Sequence, residues 1–333
     1  MRLSFQQSAD DRLLIAAHDV DGFTRWQAIQ SIAMTAQKEA LTQDGKLPET
    51  STQQLAHALD LVLKDQTLDP AFKAFCLTLP NASTLAQDIG HDIDPDALHA
   101  VCRAQATALG VALHDQLANI YETTMPRGAY DPGARDANAR QLSNTCLDLL
   151  TGTGDSVWET AAKRQFDTTD NMTNRMAALS SLVMQTEGEV VTAALADFEK
   201  HYADNPLVMD LWLAVQARKP GPFTLDRVEE LTQHKAFSFD TPNRVYSLIR
   251  TFAMANMTGF NRADGAGYTF IADCVVRLNG SNPQVAARVL NAFRSWRMLE
   301  PKRAKLAKAA LERIRAEKNL STDVADIVAR TLG

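Results

Sequence analysis

No two of the four cysteines in this 333-residue chain are close in sequence. Cys76, Cys102, Cys146 and Cys274 form no C-x-x-C pair, which excludes zinc-ribbon and thioredoxin-type chemistry. Their largely apolar surroundings mark them as small buried hydrophobes in a reducing compartment. Long apolar runs are missing as well. None is long enough to span a membrane, and the opening MRLSFQQSADD has no signal-peptide core. A cytoplasmic protein with no membrane partner is the expectation. An excess of positive charge is also lacking: 34 Lys and Arg stand against 40 Asp and Glu, a net charge of −6. That balance argues against nucleic acid as a main partner. The most basic stretch, Pro301–Lys318, repeats Lys302, Lys305 and Lys308 every three residues. Leu306, Ala310 and Ile314 fall on another face, the pattern of a solvated amphipathic helix.

Catalytic signatures are absent in the same way. The seven histidines are His18, His57, His91, His99, His114, His201 and His234, and none is followed by Glu. The H-E-x-x-H helix, two zinc ligands one turn apart with a general base beside the first, is therefore not present. His91 and His99 flank Asp92, Asp94 and Asp96. Asp94 and Asp96 are better explained as the cap and first turn of a helix than as metal ligands. No G-x-S-x-G accompanies any serine, so acyl transfer has nothing to rest on.

What is there is helical periodicity, with 45% of residues hydrophobic, ample for a buried core. Phe23, Trp26, Ile29, Ala33, Ala36 and Ala40 line one helical face. Leu98, Cys102, Leu109, Leu113 and Ile120 line another. Helix starts recur as a capping residue followed by proline: Asp94-Pro95, Asn205-Pro206, Thr241-Pro242 and Asn282-Pro283. Asn171-Met172 and Ser321 open further helices. Breaks are expected at Thr151–Asp155, Lys219–Pro222 and Leu278–Ser281, and Met125–Gly133 is the clearest loop, a place where two lobes could divide without making a domain boundary. Many helices on short turns predict an all-α chain of stacked helix pairs, superhelical and solenoid-like, with no strict repeat period. Strand-like alternation occurs at Leu3/Phe5.

Gly259–Leu290 reads GFNRADGAGYTFIADCVVRLNGSNPQVAARVL. A glycine-spaced loop, Asp264-Gly265-Ala266-Gly267-Tyr268, leads into an apolar helix, and a second helix opens at Asn282-Pro283. The loop lacks Gly-Lys-Ser/Thr and no strand precedes it, so phosphate-loop readings are weak. By residue type alone it is a helix–helix connection that uses glycine's permissive backbone. Gln284 and Arg288 lie four apart and share one helical face, which is a solvated polar stripe by spacing alone.

This stretch resembles the C-terminal helical domain of the bacterial aminopeptidase N family of zinc metallopeptidases. Asp19–Ser31, Arg140–Leu147, Gln165–Ser180, Asn205–Trp212 and Phe237–Ile249 resemble the same domain in the same order. The resemblance implies residues 1–7 as the remnant of a preceding β-domain or linker and 8–333 as the helical domain. It implies a parent enzyme that removes N-terminal residues with zinc, while this chain, lacking H-E-x-x-H and Gly-x-Met-Glu-Asn, holds no metal and no catalytic residue. Its expected partners are the catalytic and β domains of that parent and a peptide substrate. It points Gln284, Arg288 and the loop residues Asp264, Gly265 and Tyr268 toward a substrate cavity that this domain encloses, limiting peptide access. The alternative is a free-standing helical scaffold that binds peptides or proteins.

Overall fold

The computed structural model describes residues 7–126 and 128–333. Leu3 and Phe5, where a strand was expected, lie outside the described residues. In chain order the first helices are α1 (Ala9–His18), α2 (Gly22–Leu41), α3 (Glu49–Lys64), α4 (Pro70–Leu77), α5 (Ala82–Ile89) and α6 (Pro95–Ala112). They are followed by α7 (His114–Thr124), α8 (Ala134–Thr151), α9 (Ser156–Thr168), α10 (Met172–Gln185) and α11 (Glu189–Tyr202). Next come α12 (Pro206–Arg218), α13 (Thr224–Thr232) and α14 (Pro242–Val245), which runs into a π-helical turn at Tyr246–Arg250, then α15 (Thr251–Ala255) and α16 (Met257–Phe260). The hairpin α17 (Ala266–Ser281) and α18 (Pro283–Leu290) continues through a 3₁₀ segment, Asn291–Met298, to α19 (Pro301–Arg315) and α20 (Thr322–Leu332). The expected all-α class is what the chain adopts. Among the described residues the one extended pairing is an isolated bridge between Ile93 and Leu299.

The helix starts follow local chemistry. Asn282 accepts from the Val285 amide at 3.2 Å and Asn205 from Val208 at 3.3 Å, each with proline at the first helical position. Asp94 accepts from Asp96 at 2.9 Å, Asn171 from Asn174 at 2.9 Å and Ser321 from Val324 at 3.3 Å. Such caps satisfy amides that the helix itself leaves unpaired. Thr241 makes no side-chain cap. The break expected at Leu278–Ser281 falls later, because α17 continues through Gly280 and the Asn282 amide still reaches Leu278 O at 2.7 Å.

The chain divides into two compact units, Met1–Leu85 with Ala100–Val191, and Ala86–His99 with Thr192–Gly333. The Met125–Gly133 loop lies inside the first unit and does not divide the chain. In that unit α1, α2 and α3 pack together, and α8 packs on α4, α7, α9 and α10. The face of α2 is buried from Ile29 through Ala33, Ala36 and Ala40, but Phe23 stays 62% exposed. Arg25 is buried in its stead, with Nε on Ala16 O at 3.0 Å and Nη1 on Asp65 at 3.1 Å. A period of 3.6 identifies a face, not where along the helix its cover ends.

In the second unit α12 packs on α13, the π turn and α15, and α17 packs on α18 and α19. Its core holds Trp212, Phe252, Tyr268 and Phe293. No helix among the described residues is long and apolar enough to cross a membrane.

Candidate functional site

On α18 the residues Val285, Ala286, Ala287, Val289 and Leu290 are buried, while Gln284 and Arg288 are exposed. The spacing of four therefore does place both polar side chains together. Arg288 is anchored: Nη1 donates to the Tyr246 hydroxyl at 3.1 Å, and its guanidinium carbon stands 5.7 Å from that ring's centroid. Tyr246 opens the π turn, whose first carbonyl accepts from Thr251 Oγ1 at 3.0 Å. Single π turns inside α-helices concentrate at functional sites. A second arginine of the same hairpin, Arg277, lies 3.9 Å over the Phe239 ring. Two guanidiniums from α17 and α18 thus rest on aromatic rings of the Phe237–Arg250 segment, which is held in turn by Arg244 through Asp210 and the Pro206 carbonyl, both at 2.6 Å.

Sequence reasoning missed Tyr246 and Arg277. The Phe237–Ile249 stretch carried part of the family resemblance, but nothing local in it signals an arginine arriving from 42 residues away.

The Asp264–Tyr268 loop is built differently. Arg262 grips Asp264 with Nη2 at 2.7 Å and Nε at 3.2 Å, and reaches the Pro222 carbonyl at 3.1 Å. The Ala266 amide, then Arg262, hold the Asp264 carboxyl below its usual range. Gly265 sits at φ +81°, a left-handed conformation suited to glycine, against Leu306. At Gly267 a β-carbon would fall on the carbonyl oxygens of Gly259 and Phe260.

Tyr268 is 1% exposed. Its ring meets Phe260 edge-on at 5.2 Å and its hydroxyl donates to Asn261 Oδ1 at 2.9 Å. The expectation that it faces a cavity is thereby corrected: an aromatic in the first turn of α17 is drawn into the core, where its hydroxyl finds a partner. Nor does the fold gather the predicted residues at one point. The 16 residues of α17 span about 24 Å, with the Asp264 loop at one end and Gln284 past the other.

Asn261 also accepts, through its carbonyl, from Arg303 Nε at 2.7 Å. Arg303 is 5% exposed and pairs with Asp94 and Glu300, each at 3.3 Å, and with Asp96. The acidic cluster beside His91 therefore caps α6 and neutralises a buried arginine at once. The helix α19 is amphipathic as expected, but Arg303 belongs to its buried side.

Zinc, which the resemblance implies for a parent enzyme, does not fit the residues here. Among the described residues no three His, Cys, Asp or Glu side chains are grouped to hold a metal ion. The thiols of Cys76, Cys102, Cys146 and Cys274 are each pushed up to about 12 by burial, the behaviour of inert structural cysteines.

The chain is similar to known proteins along its whole length. A family model described as a domain of unknown function (DUF3458_C) with ARM repeats matches residues 9–333. Aminopeptidase N of Caulobacter vibrioides is 35% identical over the whole of this chain, that of Escherichia coli 33% and that of Haemophilus influenzae 31%. The chain spans 38% of the length of each of these curated relatives and matches their C-terminal part. The crystal structure of Legionella pneumophila aminopeptidase A in complex with aspartic acid shares the fold. Its TM-score is 0.88 at 24% identity, covering 99% of this chain and 39% of that one.

Proposed function

The chain belongs to the DUF3458_C family of ARM-repeat domains, and from that premise we propose that it serves as the non-catalytic C-terminal helical domain of a zinc aminopeptidase of the N type. The observation that carries this reading is continuous similarity, 31–35% identity along the whole chain, to just over a third of three aminopeptidases N. In this reading the catalytic and β domains of the parent are its partners, zinc is held there, and the enzyme works in the cytoplasm on the N-termini of peptides. In the same reading residues 8–333 are the helical domain and residues 1–7 a remnant of the preceding β-domain or linker.

The domain's task is to enclose the active-site cavity and limit which peptides enter. Arg288 and Gln284 face the peptide. Arg288 is suited to it because a guanidinium pairs with carbonyls or a terminal carboxylate through a planar fork of donors, and because Tyr246 already restrains it, which reduces the ordering cost of binding. The Asp264–Gly265 turn borders the same cavity further along α17.

The test is direct. The 333-residue chain, purified and supplied with zinc, is assayed on an alanyl chromogenic amide alongside metal analysis. No turnover and no bound zinc are expected; zinc-dependent turnover with stoichiometric metal sinks the reading. Reading the parent frame upstream separates it from a free-standing scaffold, since an upstream H-E-x-x-H is required here and foreign to the scaffold.

A further inference from the structure

Arg25, Arg140 and Arg303 are the buried arginines among the described residues, at 5%, 4% and 5% exposure. Arg25 pairs with Asp65, and Arg303 with Asp94, Asp96 and Glu300. Arg140 on α8 has no carboxylate among the described residues. Its Nη2 donates to the Asp131 carbonyl at 2.7 Å, its guanidinium carbon lies 4.6 Å from the Tyr130 ring centroid, and its Nε has no partner. A buried charge is costly unless paired, and neither a carbonyl nor a ring supplies the negative charge the other two arginines have.

Arg140 lines a pocket of about 410 Å³ in the first unit, together with Arg164, Tyr130, Gln165 and Asp170. Arg164 is exposed and adds a second arginine to the lining of the same space. Gln165, 8% exposed, supplies the opposite need. Its Nε2 donates to Asn144 Oδ1 at 2.8 Å and to the Asn174 carbonyl at 3.0 Å, while its Oε1 has no partner. The Asn174 backbone carbonyl can only accept, so the amide orientation is fixed and Oε1 is the atom left over.

We propose that this pocket binds an α-carboxylate ligand, a free amino acid or the C-terminal end of a short peptide, with the carboxylate on Arg140 and Arg164 and the adjacent N–H on Gln165 Oε1. Among the described residues Arg140 lacks a paired carboxylate and Gln165 Oε1 lacks a donor, and a carboxylate and an N–H are the two groups that flank the α-carbon of an amino acid or of a non-proline peptide end. Bidentate arginine–carboxylate pairing provides orientation as well as energy. The site stands on the first unit alone and does not depend on the peptidase reading.

Calorimetric titration of the 333-residue chain tests it with L-alanine, N-acetyl-L-alanine and L-alaninamide. Saturable binding, with a dissociation constant on the order of 1 mM, is expected for L-alanine or N-acetyl-L-alanine. The tighter of the two tells whether the ligand is a free amino acid or a peptide end. L-Alaninamide, which lacks the carboxylate, is expected to bind at least about tenfold more weakly. Arg140→Gln is expected to weaken binding by at least about tenfold. Arg164→Gln, at an exposed position that leaves the fold intact, is expected to weaken it several-fold, and the surface control Arg313→Gln not at all. The proposal is overturned by absence of saturable binding to both carboxylates up to roughly 50 mM, or by L-alaninamide binding equally well. If Arg140→Gln does not fold, Arg164→Gln decides, and unchanged affinity there overturns the site.

Discussion

Arg288 donates to the Tyr246 hydroxyl at 3.1 Å, joining the exposed stripe of α18 to the π turn that follows α14. The bond turns a polar side chain into a restrained one. It gives Arg288 a fixed direction, which spacing along a helix cannot supply.

In the parent enzyme Arg288→Ala is expected to lower kcat/KM for peptides by about 10- to 100-fold while leaving single-residue amides nearly unchanged. A charge-assisted hydrogen bond shielded by a bound peptide contributes about 1.5–3 kcal/mol, and under the proposed function a short amide stops short of Arg288. Tyr246→Phe keeps the ring and loses the restraint, so a smaller loss of the same kind should follow. Equal effects on both substrate classes would return Arg288 to an ordinary surface stripe.

Arg303→Gln should destabilise the chain by roughly 2–4 kcal/mol in urea unfolding. Removing one member of a buried pair leaves its partners uncompensated. Asp94 and Asp96 are half exposed and rehydrate in part, which keeps the loss below the full buried-pair value. A midpoint unchanged from wild type is the contrary result.

Two glycines of the same helix should answer alanine with opposite signs. At Gly267 a β-carbon meets backbone carbonyls that cannot step aside, and overpacking of this kind costs about 1–3 kcal/mol. At Gly280 nothing stands within 4 Å of a β-carbon, so Gly280→Ala should stabilise by about 0.4–1 kcal/mol through the unfolded chain. Thermal or urea midpoints of the two variants read the contrast.

Acid should act through Asp65. Hydrogen bonds from Thr67, then from Arg25, lower its carboxyl from 3.8 to about 2. The depressed folded value means its contribution is complete above pH 3.8 and is lost as pH falls toward 2. Asp65→Asn should therefore flatten the stability profile across that window and leave the slope at higher pH untouched; an unaltered acid slope would refute the assignment.

The thiols should be silent in the native state. With values near 12 for all four, reaction with a disulfide reagent at pH 8 is expected to be slow, and four equivalents should titrate rapidly once urea unfolds the chain. Fast native reaction at any one of them would show that its burial is transient.

The helices and their starting points were legible from residues alone. Asp94-Pro95, Asn205-Pro206 and Asn282-Pro283 begin helices because a side-chain oxygen and a fixed φ act on amides two or three residues away, and that chemistry is contained in the local sequence. The pairing of Gln284 with Arg288 on one exposed face was legible for the same reason. The aromatic at Tyr268 was misjudged because its place in the core depends on Phe260 and Phe293, which arrive from neighbouring helices.

What the sequence determined by itself was therefore the all-α class, the breaks between most helices and the faces that carry polar residues. The tertiary structure decided what those faces meet. It set Arg303 among Asp94, Asp96 and Glu300, laid Arg288 on Tyr246, and left Arg140 buried with no carboxylate beside it. A capping bond spans three residues and is written in the order of the chain. An ion pair across some two hundred residues depends on how helices dock, which no window of sequence contains.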